Sequence, residues 1–158
     1  QVEILTVLAL CPQGMSLDAL HQAIYGERKV SQGTLKTEMS QLRDTLTGLL
    51  GSRPYRLLMP IDGDFLRVEQ SLNAGYLEAA IKLYTGIFFS KTESPFLCTW
   101  RTCLEARLSQ AIYHSDQVDL LLMHLSNCPD ASDAIERLIE LMPDNLSIHQ
   151  HLEVLSNR

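Results

Sequence analysis

The chain has 158 residues, 46% of them hydrophobic and 20% charged, long enough for one domain or two small ones and apolar enough to bury a core. No apolar run approaches the roughly 20 residues of a membrane span, no signal peptide is expected, and no long polar or single-sign run points to disorder. The net charge of −6 argues against a strongly basic nucleic-acid binder, but its distribution is uneven: residues 1–57 carry six Lys/Arg against five Asp/Glu, and residues 58–158 carry seven against fourteen.

The chain enters the apolar pattern VEILTVLAL directly after Gln1, and it is expected to be a fragment of a longer, cytoplasmic protein. Residues 2–10, apolar nearly all round, predict a short helix buried on most sides and ended by Pro12 and Gly14. Ser16 is a good N-cap for SLDALHQAIYG, with Asp18 in its first turn, Leu17, Leu20 and Ile24 as its inner stripe and Gly26 as its stop. Ser31 caps the next helix, read from Ser31 to Leu50, in which Leu35, Met39, Leu42 and Leu46 define one buried face. Its other face is small, polar or basic: Thr34, Lys36, Thr37, Ser40, Gln41 and Arg43. Three helices joined by tight turns make a helix-turn-helix pattern.

After Leu50, LGSRPYRLLMPIDGD is punctuated by Gly and Pro, and SRPYRLL is β-prone, so a two-stranded hairpin is expected with Arg53 near its tip and Arg56 on a flank. From Asp64 onward the pattern is helical: FLRVEQSLNAG capped by Asp64, YLEAAIKLYTG, a linker holding Phe88 and Phe89, then a long helix from Pro95. Its stripe is read as Phe96, Trp100, Cys103/Leu104 and Leu108, with Trp100 taken as core packing. Three shorter helices follow around 116–126, 131–142 and 145–156. The fold class expected is mainly α: a winged helix-turn-helix over 1–63, then an all-α, helical-hairpin (TPR-like) domain over 64–158.

The segment LDALHQAIYGERKVSQGTLKTEMSQLRDTL resembles the winged-helix segment of OmpR-type regulators, in particular the antibiotic-regulatory-protein activators. SRPYRL resembles their wing, with Pro54 in place of the usual glycine-rich tip, and "AAIKLYTG" with "SPFL" resembles the bacterial transcriptional activation domain that follows there. A closer likeness is to the output region of GAF-domain-containing regulators. The likeness covers about residues 1–113. It implies a sequence-specific DNA-binding module with double-stranded DNA as partner, a homodimer, RNA polymerase as a possible contact, and a sensor domain upstream. By alignment to the family pattern, Lys36, Thr37, Ser40 and Gln41 face the major groove, Arg43 and Arg53 meet phosphate, and Arg28 and Lys29 add non-specific phosphate contacts. The alternative is a protein–protein adaptor whose winged helix is scaffold.

Other chemistry is expected to be absent. Cys11, Cys98, Cys103 and Cys128 show no CxxC spacing and read as buried, reduced thiols rather than as a zinc site with His114 or His124. His149 and His151, two apart, cannot share a helix face. No glycine-rich phosphate loop, HExxH or GxSxG motif occurs, so neither catalysis nor a cofactor is expected.

Overall fold

Two serines start the second and third helices, each by lending its hydroxyl oxygen to a backbone N–H that a helix leaves unpaired. Ser16 accepts from the amide of Ala19 at 3.1 Å and opens α2 (Leu17–Tyr25), and Ser31 accepts from the amide of Thr34 at 3.3 Å and opens α3 (Gln32–Thr45). They follow α1 (Val2–Leu10), which buries Ile4, Val7 and Leu8. The computed structural model describes residues 1–143, so the helix expected over 145–156, with His149 and His151, lies outside the described residues. Among those described, the protein is mainly helical: eight α-helices and one two-stranded sheet.

The sheet pairs β1 (Leu50–Ser52) with β2 (Tyr55–Leu57), antiparallel, in the register Leu50↔Leu57, Gly51↔Arg56, Ser52↔Tyr55. A two-residue connection, Arg53–Pro54, joins them through a cis peptide bond. α4 (Asp64–Asn73), α5 (Leu77–Leu83), α6 (Pro95–Tyr113), α7 (Val118–Asn127) and α8 (Ser132–Leu141) complete the described chain.

The chain divides into two compact units. The first comprises Gln1–Asp62 and Phe89–Thr102, and the second Gly63–Phe88 and the described residues from Cys103 on. The expected division at 63/64 put all later residues in one domain, whereas the chain returns to the first unit over Phe89–Thr102. That return is anchored by Ser94, which is fully buried. Its hydroxyl donates to the carbonyl of Ala23 in α2 at 2.8 Å and accepts from the amide of Leu97, capping α6 while tying it to α2. Losing such a buried cap costs about 1–3 kcal/mol. Pro95 supplies the first helical residue, where a missing N–H costs nothing.

The first core joins Ile4, Leu8, Leu20, Ile24, Leu35, Met39, Leu42 and Leu50 with Leu97. In the second unit α4 packs on α5, α5 on α7 and α7 on α8. Ile81, Leu104, Leu108, Ile112, Leu121 and Leu138 are its large buried side chains.

Four sequence expectations are corrected. α3 ends at Thr45, not Leu50: Thr47 and Gly48 take positive φ (43° and 86°), which stops the helix, and Leu50 opens β1. Leu46 is half-buried rather than core. Asp64 is the first helical residue, not the cap; Gly63 precedes it with no side-chain capping bond. The buried stripe of α6 is Leu97, Leu104, Leu108 and Ile112, while Phe96 and Trp100 are half-buried and Cys103 is exposed. Leu104 and Leu108 are buried as expected; the difference lies in the first turns, where Leu97, one residue or about 100° round from Phe96, is the buried position.

Candidate nucleic-acid interface

α3 divides cleanly by periodicity. Leu35, Met39 and Leu42 are buried at 3% exposure or less, and Lys36, Thr37, Ser40, Gln41 and Arg43 are all exposed. Residues 36, 40 and 43 stand at i, i+4 and i+7, so Lys36, Ser40 and Arg43 form one stripe, with Thr37, Gln41 and Asp44 as its neighbour. The helix is 14 residues, about 21 Å long.

Two of these side chains already have partners. The Thr37 hydroxyl donates to the carbonyl of Gly33 at 3.0 Å. Gln41 accepts from the Gln1 side-chain amide at 2.8 Å, which leans it toward the start of α1. Asp18 of α2 accepts from Gln32 at 2.5 Å, so part of the nearby negative charge is held by the amide.

The turn before α3 is built more firmly than its sequence suggests. His21 reaches from α2 to donate to the carbonyl of Val30 at 2.8 Å and packs against Tyr25, their ring centres 5.1 Å apart. Burial, and then the Glu38 carboxylate, push the Tyr25 phenol above its ordinary value. Arg28 is the clamp. Its guanidinium donates to the carbonyl of Ile24 at 2.6 Å, to that of Tyr25 at 3.2 Å and to Glu93 at 2.7 Å, and it lies 5.3 Å from the Tyr25 ring centre. A cation closing the C-terminal carbonyls of α2 is favoured by the helix dipole. Arg28 is therefore committed to the protein's own backbone, and of the two basic residues expected here only Lys29 extends into solvent without such ties.

Arg53 and Arg56 are both exposed on the hairpin. Arg53 borders a shallow concavity with Met15, Ser16, Ser52 and Tyr55. What holds the hairpin there is a feature the sequence did not announce. Met15, just before α2, pairs antiparallel with Tyr55, its amide donating to the Tyr55 carbonyl at 2.9 Å and its carbonyl accepting from the Tyr55 amide at 2.8 Å. The preceding Gly14 has φ +85°, and a Cβ on it would stand 2.9 Å from both the Pro54 ring and the Tyr55 carbonyl. Glycine is required there twice over, by conformation and by space. The signal was present as Gly14 before a helix cap, but it read only as a helix stop.

The first unit carries eight Lys/Arg against seven Asp/Glu, and the second, over its described residues, four against ten. None of the four thiols expected to be buried is so: Cys103 is exposed and Cys11, Cys98 and Cys128 are half-buried, none in a disulfide. Among the described residues no group of three or more His, Cys, Asp or Glu comes together in a metal-holding arrangement, and no helix is long and apolar enough to cross a membrane.

No family model and no solved structure matches the chain. Over 134 residues, 84% of its length, it is 30% identical to a protein of Rhodococcus erythropolis described as an uncharacterized 47.3 kDa protein in the thcA 5' region. The chain spans 30% of that relative's length.

Proposed function

We propose that the protein is a sequence-specific, DNA-binding output module of a transcriptional regulator. In this reading the first unit is a winged helix, α3 lies in the major groove, and the β1–β2 hairpin is the wing on phosphate or the minor groove. The observation that carries the reading is the element order α1–α2–α3–β1–β2, with Met15 fixing the hairpin beside the start of α2 while the polar face of α3 and Arg53 both stay exposed. The major groove, about 12 Å wide, admits a helix whose outward residues are short, and Thr37, Ser40 and Gln41 meet that need.

The roles divide by chemistry. Lys36 donates to guanine O6 or N7, Gln41 pairs with adenine after releasing Gln1, and Thr37 or Ser40 meets a thymine methyl or a phosphate. Arg43 and Arg53 bind backbone phosphate, with Lys29 as a further non-specific contact; Arg28 supports the turn. The near-neutral charge of the first unit implies modest affinity per copy, so a homodimer reading two half-sites supplies the rest. The second unit is a helical-hairpin, TPR-like domain that contacts RNA polymerase or supports pairing. A sensor module elsewhere in a longer cytoplasmic protein belongs to the same proposal.

One observation favours a second reading, an interaction adaptor. The second unit is acidic and exposes Tyr76, Ile87 and Leu122, a composition suited to protein contact. Selection of random duplex DNA on the immobilised protein, followed by footprinting, separates the two. Enrichment of a motif with paired half-sites is expected, and recovery of unenriched sequence at low salt would favour the adaptor.

A further inference from the structure

The strap that leads into α6 is fastened to the rest of the first unit at three successive residues. The Thr92 hydroxyl donates to the Glu3 carboxylate of α1. Glu93 accepts from Arg28 at 2.7 Å, and the buried Ser94 hydroxyl donates to the Ala23 carbonyl of α2 at 2.8 Å. The Ser94 amide also donates to the Thr92 hydroxyl oxygen at 3.2 Å. With both neighbours pinned, Glu93 is held beside Arg28 although its own side chain is 77% exposed.

Arg28 uses its donors unequally. Nη2 and Nε close the carbonyls of Ile24 at 2.6 Å and Tyr25 at 3.2 Å, which fixes the guanidinium on the end of α2. Nη1 takes no part in that clamp, and among the described residues its partner is Glu93. A guanidinium is a planar fork whose donors suit a carboxylate and a phosphate alike. Arg28 is thus a positioned cation with one prong filled by a carboxylate of the same chain. The turn it braces runs into the Ser31 cap of α3, and its neighbour Lys29 extends into solvent. Stability does not account for the pair. An exposed ion pair contributes about 0–1 kcal/mol, and Thr92 and Ser94 already anchor the strap. What the pair changes is the charge that the turn offers to an anion.

We propose that Glu93 is an autoinhibitory anion: it fills the Arg28 prong that would otherwise hold a phosphate group, and its release adds a phosphate contact at the turn before α3. While Glu93 is in place, a phosphate gains Arg28 only by exchanging one anion for another. The tethered carboxylate acts at high effective concentration, so that exchange yields little. Both residues belong to the first unit. The duplex-DNA part of the inference rests on the reading of that unit as a DNA binder, whereas the masked anion site does not.

The test uses the full chain with two probes, inorganic pyrophosphate and random duplex DNA. Glu93→Ala removes the mask. Glu27→Ala takes an equal charge from the exposed residue just before Arg28 and controls for bulk electrostatics. In Glu93→Ala, pyrophosphate is expected to shift the Arg28 Nε–H and the amides of residues 24–30. Half-saturation is expected at concentrations about fivefold below those for the wild type or Glu27→Ala. On DNA, Glu93→Ala is expected to bind about two- to fivefold more tightly than the wild type. Its slope of log K against log salt is expected to steepen by about 0.9, one added phosphate. Adding Arg28→Met is expected to remove both gains. Equal pyrophosphate binding by the wild type and Glu93→Ala, or shifts centred away from residues 24–30, would overturn the proposal. So would a gain on DNA that Glu27→Ala matches or that survives Arg28→Met. The pyrophosphate measurement needs neither DNA nor Arg28→Met, so it decides the matter even where that variant fails to fold. Pyrophosphate binding as expected, with no duplex binding by any of the proteins, would support the masked anion site and remove the DNA reading.

Discussion

Met15 and Tyr55 exchange both of their backbone hydrogen bonds, at 2.9 and 2.8 Å, across 40 residues of sequence. The pair turns a short hairpin, which alone is marginal in water, into a fixed part of the first unit. It also sets where Arg53 stands. Gly14 makes the approach possible, so Gly14→Ala is expected to cost about 1–3 kcal/mol through a strained positive φ and the clash with Pro54 and the Tyr55 carbonyl. Urea unfolding measures this, and a change within experimental error would show that the pairing does not anchor the hairpin.

Arg28 and Lys29 are adjacent in sequence but are expected to behave differently. Arg28→Met removes bonds to Ile24, Tyr25 and Glu93 and is expected to lower stability by about 1 kcal/mol, the pair with Glu93 contributing little because the Arg28 side chain is 40% exposed. Lys29→Met is expected to leave stability unchanged and to weaken DNA binding equally on all sequences. Chemical denaturation of both variants, with anisotropy on specific and random duplexes, checks the division. The reverse pattern would return Arg28 to the binding surface.

Much of the first unit was legible because its signals are local. Ser16 and Ser31 as caps, Gly26 as a stop, and the Leu35, Met39, Leu42 face each follow from neighbours within a turn or two. The features that were missed depend on residues distant in sequence. The Met15–Tyr55 bridge, the Ser94 anchor on Ala23 and the Arg28–Glu93 link join positions 40, 71 and 65 residues apart, and no periodicity reports such pairings. The exposure of Lys36, Ser40 and Arg43 was readable from spacing, whereas the engagement of Gln41 by Gln1 was not. His124, weighed only as a metal ligand, stood out once its burial and its unpaired Nδ1 were visible.

His124 also gives the second unit a pH dependence whose sign is fixed. Burial lowers its folded pKa below the ordinary value of 6.5, so between the two values the unfolded chain binds more protons. The stability contribution is fully present above about pH 6.5 and is lost as pH falls from there through the folded value. The informative quantity is the difference between the wild type and His124→Phe. Thermal unfolding from pH 7.5 to 5 is expected to show the wild type losing stability faster than the variant. Parallel curves would contradict a buried neutral imidazole.

The salt dependence of binding tests most directly the proposed contact of the first unit with duplex DNA through α3 and the wing. Each phosphate contact contributes a slope of about −0.9 to log K against log salt. The wild type is expected to bind a selected duplex with a steep negative slope, and Lys36→Ala with Arg53→Ala is expected to weaken binding and flatten the slope by about 1–2. Binding that does not respond to salt, or a double variant with the wild-type affinity and slope, would contradict the account.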